Sequence, residues 1–172
     1  MSRRHVVLVG LPGSGKSTVG RQAAGLLGAA FTDIDVVLTD QTGMSVADLF
    51  ALRGEPEFRK LETLAMAEAL AAPPQLIAPG GGWIAQPGNL DVVADRGLLI
   101  YLAIEPRLAA ERLDGDTARP LLAGGDLAGR MQGLLLERER WYRLAAVEID
   151  AGRAVEAVAR AIASVAKESA GW

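Results

Sequence analysis

The stretch HVVLVGLPGSGKST, residues 5–18, decides how this chain is read. Its opening, His5 to Val9, is an apolar run of strand length. Gly10 and Gly15, followed by Lys16 and Ser17, then match G-x-x-x-x-G-K-[ST]. The glycines let backbone N–H groups turn inward around the phosphates of a nucleotide, so Gly13, Ser14, Gly15, Lys16, Ser17 and Thr18 form a candidate ATP cradle. Lys16 adds a point charge, and the Ser17 hydroxyl can ligate Mg²⁺. Thr18 opens the helix behind the loop. A chance glycine-rich turn is the alternative, but a strand before and a helix after favour the cradle.

Beyond this stretch, short apolar runs alternate with longer helical patterns. Strands are expected at His5–Val9, Ala30–Thr32, Leu76–Ala78, Leu98–Leu102 and Val147–Ile149. Helices are expected to begin near Lys16, Ser45, Pro56, Leu90, Pro106 and Leu127, with a last one from Arg153 to Lys167 whose Val155, Val158, Ile162 and Val165 share one face. That alternation implies an α/β fold, a parallel sheet with helices on both sides. Ligands then bind beyond the carboxyl ends of the strands.

The 172 residues suit a single domain, 1–172, and no repeat or low-complexity segment interrupts it. With 18 basic and 21 acidic residues, the chain lacks the basic excess of a protein that binds nucleic acid by bulk charge. It has no cysteine, which excludes disulfides and thiolate metal sites. No apolar run approaches a membrane span, and the opening MSRRHVVLVG leads into glycines and Lys16 rather than a cleavage site. A soluble cytoplasmic protein, without membrane or nucleic-acid partners and acting as a monomer, is expected.

No N-K-x-D stretch accompanies the cradle, since the sole asparagine is Asn89, and the strand GLLIYLA ends without an acid. These absences speak against guanine-selective GTPases and large ATPase motors. The polar, glycine-rich segment DGDTARPLLAGGD, 114–126, suggests a mobile lid over about 112–126. A small kinase whose lid keeps water from the phosphoryl group fits best.

In FTDID, Asp33 and Asp35 follow the second strand; if the strand continued through them, both carboxylates would face one side, roughly 7 Å apart. One could serve Mg²⁺ beside Ser17 and the other orient an attacking hydroxyl. Capping the next helix is the competing role, and for Asp35 the functional reading is preferred. In GEPEFRKLE, Arg59 reads locally as a solvated partner of Glu55 or Glu62. The glycines of IAPGGGWI could bring backbone N–H groups against a ligand or form a plain turn. Arg119 could swing onto a triphosphate, while the run Glu137 to Arg140 reads as a solvated helix face.

Taken in order, these stretches resemble shikimate kinase along almost the whole chain. The resemblance rests on the P-loop, FTDID, GEPEFR, the triple glycine at 80–82, RPLL at 119–122, and Arg138 four residues before Tyr142. It implies a nucleoside-monophosphate-kinase-like fold with a five-stranded parallel sheet. It also implies ATP-dependent phosphorylation of shikimate at its 3-hydroxyl, in the route to aromatic amino acids. Asp33, with Ser17, would serve Mg²⁺. Asp35 would bind the acceptor hydroxyls and act as candidate base, beside Lys16 and Arg119 as catalytic groups. Arg59 and Arg138 would clamp the acceptor carboxylate, with a backbone contact from Gly81. Arg112 and Arg119 would face the ATP phosphates. The resemblance thereby reverses the local readings of Arg59 and of the charge run.

Three positions depart from the family pattern: Pro79 before the glycines, Trp83 after them, and Arg140 where a proline is usual. Trp83 could place a ring near the acceptor, but a hydrophobic anchor is the preferred reading. Arg153 is a weak candidate for an adenine contact. A kinase of another small hydroxy acid such as gluconate, and a non-catalytic nucleotide sensor, remain as rival readings.

Overall fold

A computed structural model of the chain describes residues 2–114 and 125–172. Most of the expected lid, including Arg119, lies outside the described residues.

The central strand β1, His5–Val9, is flanked on one side by β3, Leu76–Ala78, and on the other by β4, Gly97–Ala103. The edges are β2, Phe31–Asp33, beside β3, and β5, Val147–Asp150, beside β4. All pairings are parallel, so the order β2-β3-β1-β4-β5 sends every carboxyl end to one rim. Val6, Val7, Leu8, Ile77, Ile100 and Leu102 are fully buried. A sheet covered on both faces reads as continuous apolar runs rather than alternation.

Among the described residues, the α-helices flanking the sheet are α1 (Lys16–Leu27), α2 (Ile34–Thr42), α3 (Val46–Ala71), α4 (Asn89–Ala94), α5 (Pro106–Leu113), α6 (Leu127–Tyr142) and α7 (Val155–Ser169). The strongly amphipathic α7 buries Val158, Ala159, Ile162, Ala163 and Ala166 and packs beside α1. Among the described residues, no helix is long and apolar enough to cross a membrane.

One expectation needs correction here. The second strand ends at Asp33, and residue 34 already starts a helix. Asp35 therefore stands in the first turn of α2, and the two acids do not share a strand face. The cause is capping: Asp33 Oδ1 accepts the backbone N–H groups of Asp35 at 3.0 Å and Val36 at 3.4 Å. The two helices expected at Ser45 and Pro56 are both present within the span of α3 and meet at a kink at Gly54 (φ 78°, ψ 166°). That backbone conformation belongs to glycine, and Pro56 restarts the helix in its first turn.

The chain's single histidine sits on β1, buried, with Nδ1 accepting the Gln75 N–H at 3.3 Å. Burial holds its pKa below the usual 6.5, and the Arg96 charge adds to this. Because the unfolded chain takes up that proton more readily, the stability contributed by neutral His5 is present above pH 6.5 and lost as pH falls through the folded value. Urea midpoints should therefore fall on acidification in this window, and less steeply in His5→Gln; identical slopes would exclude His5 as the source.

Candidate active site

The loop between β1 and α1 closes tightly on itself. A Cβ on Gly13, which has φ +81°, would stand 2.5 Å from the Ala109 carbonyl oxygen, so only glycine fits this bend. Lys16 folds back across the loop: its Nζ donates to the carbonyls of Gly10 at 2.8 Å and Leu11 at 2.9 Å. The ammonium is thus held in place, mostly buried, at the N-terminus of α1, where helix dipole and charge both favour an anion.

Gly13, Gly15, Lys16, Ser17 and Thr18 line a cleft of about 240 Å³ together with Asp33, Asp35, residues 78–81, Arg112 and Leu113. The cleft lies beyond the carboxyl ends of β1, β2 and β3, as a parallel sheet requires. Ser14 is buried beneath the cradle, its hydroxyl 3.4 Å from Lys16 Nζ. Arg112 in the last turn of α5 reaches the cradle; a Cβ on Gly15 would lie 3.8 Å from its Nη1.

Asp33 has two duties. One oxygen caps α2, and the other accepts the Ser17 hydroxyl hydrogen. The two candidate Mg²⁺ ligands are therefore in direct contact across the cradle. A hydroxyl and a carboxylate fit Mg²⁺, which takes few protein oxygens and completes its shell with phosphate and water. Among the described residues, no cluster of three or more His, Cys, Asp or Glu is placed to hold a metal.

A second cluster is built on α3, α6 and the glycines after β3. Gly80 to Trp83 form a turn closed by the Trp83 N–H on the Gly80 carbonyl, 3.1 Å. A Cβ on Gly82 would stand 2.6 Å from Arg59 Nη2 and 3.0 Å from Arg138 Nη2. Two guanidiniums from different helices thus converge on one backbone position, and only a residue without a side chain leaves room for them. On the other flank, a Cβ on Gly80 would meet Glu62 Oε1, and Asp35 Oδ1 at 3.7 Å.

Arg59 keeps the ion pairs expected from its spacing, to Glu62 at 2.7 Å and Glu55 at 3.3 Å, yet its side chain is only 13% exposed. Glu62 is fully buried. Burial pushes its pKa up, the Asp35 charge adds to this, and Arg59 opposes it. The pair is therefore structural support for the pocket rather than surface decoration. Arg138 is buried too, one helical turn before Tyr142, so the run at 137–140 is not a uniformly solvated face. Tyr142 is fully buried, stacked on Tyr101 with centroids 5.2 Å apart. Its hydroxyl donates to the Gly81 carbonyl at 2.6 Å. Burial pushes this phenol up to about 12, with Arg138 as the main opposing influence, so it stays a donor at neutral pH.

Trp83 is 1% exposed and belongs to the core, in keeping with an anchor, whereas Pro79 lines the cleft. Arg140 lies over the Trp141 ring at 5.1 Å, and Arg153 is not among the cleft-lining residues. Glu62 and Tyr142 escaped assignment from sequence. A signal for Glu62 existed: it falls in step with Phe58, Ala65, Met66 and Ala69, the buried stripe of α3. A carboxylate on an apolar stripe calls for a buried cation.

Comparison with known proteins agrees with this geometry. Residues 12–167 match the family model described as shikimate kinase. A shikimate kinase of Mycobacterium tuberculosis is 43% identical over 148 residues, covering 86% of this chain and 84% of that protein. A solved shikimate kinase from Acinetobacter baumannii, in complex with shikimate, superposes with a TM-score of 0.92 at 32% identity, over 96% of this chain and 94% of that one. A gluconokinase from Sinorhizobium meliloti, with a TM-score of 0.64 and 16% identity over 99% of this chain and 96% of its own, shares the fold alone. The chain belongs to the shikimate kinase family.

Proposed function

We infer that this chain is an ATP-dependent shikimate kinase, transferring the γ-phosphoryl group to the 3-hydroxyl of shikimate and releasing ADP. The observation that carries this reading is the pair Arg59 and Arg138 converging on Gly82, the next residue after the glycines that line the phosphate cleft. A carboxylate seat and a phosphate cradle thus lie one backbone step apart, which suits an acceptor carrying both a carboxylate and a hydroxyl.

In this reading the backbone N–H groups of residues 13–18 and the Lys16 ammonium hold the nucleotide phosphates, joined by Arg112 and, from the lid, Arg119. The Ser17 hydroxyl and Asp33 would hold Mg²⁺, which when bound would offset phosphate charge. Arg59 and Arg138 clamp the acceptor carboxylate, Gly81 offers it a backbone contact, and Asp35 accepts the hydrogen of the attacking hydroxyl. The oxygen then attacks phosphorus as the bond to ADP breaks, and the hydroxyl proton leaves through Asp35. The protein would work in the cytoplasm as a monomer.

A coupled ADP-release assay across a panel of hydroxy acids tests the assignment. Turnover confined to shikimate is the expected result. Activity on gluconate with shikimate silent would reassign the acceptor, and binding of both ligands without turnover would make the protein a sensor.

A further inference from the structure

With the Trp83 N–H closing on the Gly80 carbonyl, Gly81 and Gly82 occupy the two central positions of a β-turn. Gly82 has φ −96° and ψ −4°, the values of a type I turn at its second central residue. A type II turn differs by reversing the central peptide and needs positive φ at that residue, which glycine adopts freely. Two glycines therefore leave the Gly81–Gly82 peptide free to face either way. Since C=O and N–H of one trans peptide point in opposite directions, the flip would exchange what this unit presents. It occurs where Arg59 and Arg138 converge.

Resting on the shikimate kinase reading, we propose that Tyr142 is a positioning residue for the acceptor: its phenol holds the Gly81 carbonyl and fixes the Gly81–Gly82 peptide in one orientation beside Arg138. The 2.6 Å hydrogen bond from its hydroxyl is made in the type I state; a reversed peptide would turn the acceptor oxygen away. Its ring cannot follow such a flip, because it is fully buried and stacked on Tyr101 of β4. Arg138 stands one helical turn earlier on α6, and its guanidinium meets the same turn at Gly82. One ring packed against the sheet thus fixes the backbone beside one of the guanidiniums that form the proposed carboxylate seat.

Tyr142→Phe keeps the ring and the stack and deletes only the hydroxyl. It should raise the KM for shikimate about tenfold, the value of one buried hydrogen bond, with kcat and the KM for ATP nearly unchanged. Tyr101→Phe, altered in the same stack but away from the turn, should leave every constant near wild type. A purely structural tyrosine would instead lower the melting temperature without this split. The wild-type fold offers a second reading. The chain has only two tyrosines, so 3-fluorotyrosine labelling gives two ¹⁹F resonances, assigned with Tyr101→Phe. Shikimate should shift the Tyr142 signal more than that of Tyr101. An active wild type with an unchanged KM in Tyr142→Phe, or a Tyr142 resonance indifferent to saturating shikimate, overturns the role alone. A wild type inert towards shikimate overturns the functional reading as well.

Discussion

Replacing Asp35 by Asn is expected to lower kcat by about 10²- to 10⁴-fold while leaving the Kd for ATP within about twofold. Asn matches the carboxylate in size and shape but can neither take a proton nor hold a negative charge beside the attacking hydroxyl. The fold should not notice the change. The start of α2 is capped by Asp33, whose partner at residue 35 is the backbone N–H, present in either side chain's company. The nucleotide should not notice it either, because the proposed cradle lies in residues 13–18. One further effect follows: removing the Asp35 charge takes away one of the influences raising the Glu62 pKa. Steady-state kinetics with both substrates varied, beside equilibrium binding of ATP, checks the expectation. Undiminished turnover would remove Asp35 from the proton's path.

Arg59→Ala should act on two quantities at once. Truncating one partner of a buried, hydrogen-bonded charge pair costs about 2–5 kcal/mol in binding, so the KM for shikimate should rise on the order of 10²-fold, with that for ATP little changed. Stability should fall as well, by about 3–5 kcal/mol, because Glu62 is fully buried and loses its 2.7 Å partner. The loss should depend on pH in a definite direction. Without Arg59 the buried carboxyl has a folded-state pKa raised further above that of the unfolded chain, whose usual value is 4.5. A raised carboxyl pKa gives stability that is present below the unfolded value and lost as pH rises through the folded one. Urea midpoints of Arg59→Ala should therefore decline relative to wild type as pH rises above the usual carboxyl value of 4.5. The double variant Arg59→Ala/Glu62→Gln should recover much of the stability and none of the affinity. Recovery of both together would mean that Arg59 serves folding alone.

The phosphate cradle was legible because the chemistry resides in contiguous residues: strand, glycine spacing, Lys16 and Ser17 all speak within residues 5–18. Asp33 and Asp35 were legible as a pair, but through a mistaken local geometry. A three-residue strand gives too short a run to locate its end, and capping by Asp33 moves Asp35 into a helix. The acceptor seat was hidden from local reasoning. Arg59 has acids at both helical spacings, and both pairs form; what turns them from surface ion pairs into a pocket wall is burial, which depends on packing against distant segments. Arg138 sits in an alternating charge run for the same reason. Their convergence on Gly82 unites positions 59, 82 and 138, and only the tertiary fold or a family resemblance can supply that distance.

Trp83 carries a practical corollary. Its indole is sealed in the core, its N–H meets no hydrogen-bond partner, and its backbone adjoins Gly82, where the two guanidiniums meet. An indole shielded from water emits to the blue of one in contact with it and responds to the local electric field. The other two tryptophans, Trp141 and Trp172, are only half-buried and supply a redder background. If the proposed acceptor seat is right, this built-in optical dye beside it should register an arriving anion by a change in ultraviolet emission, without any label.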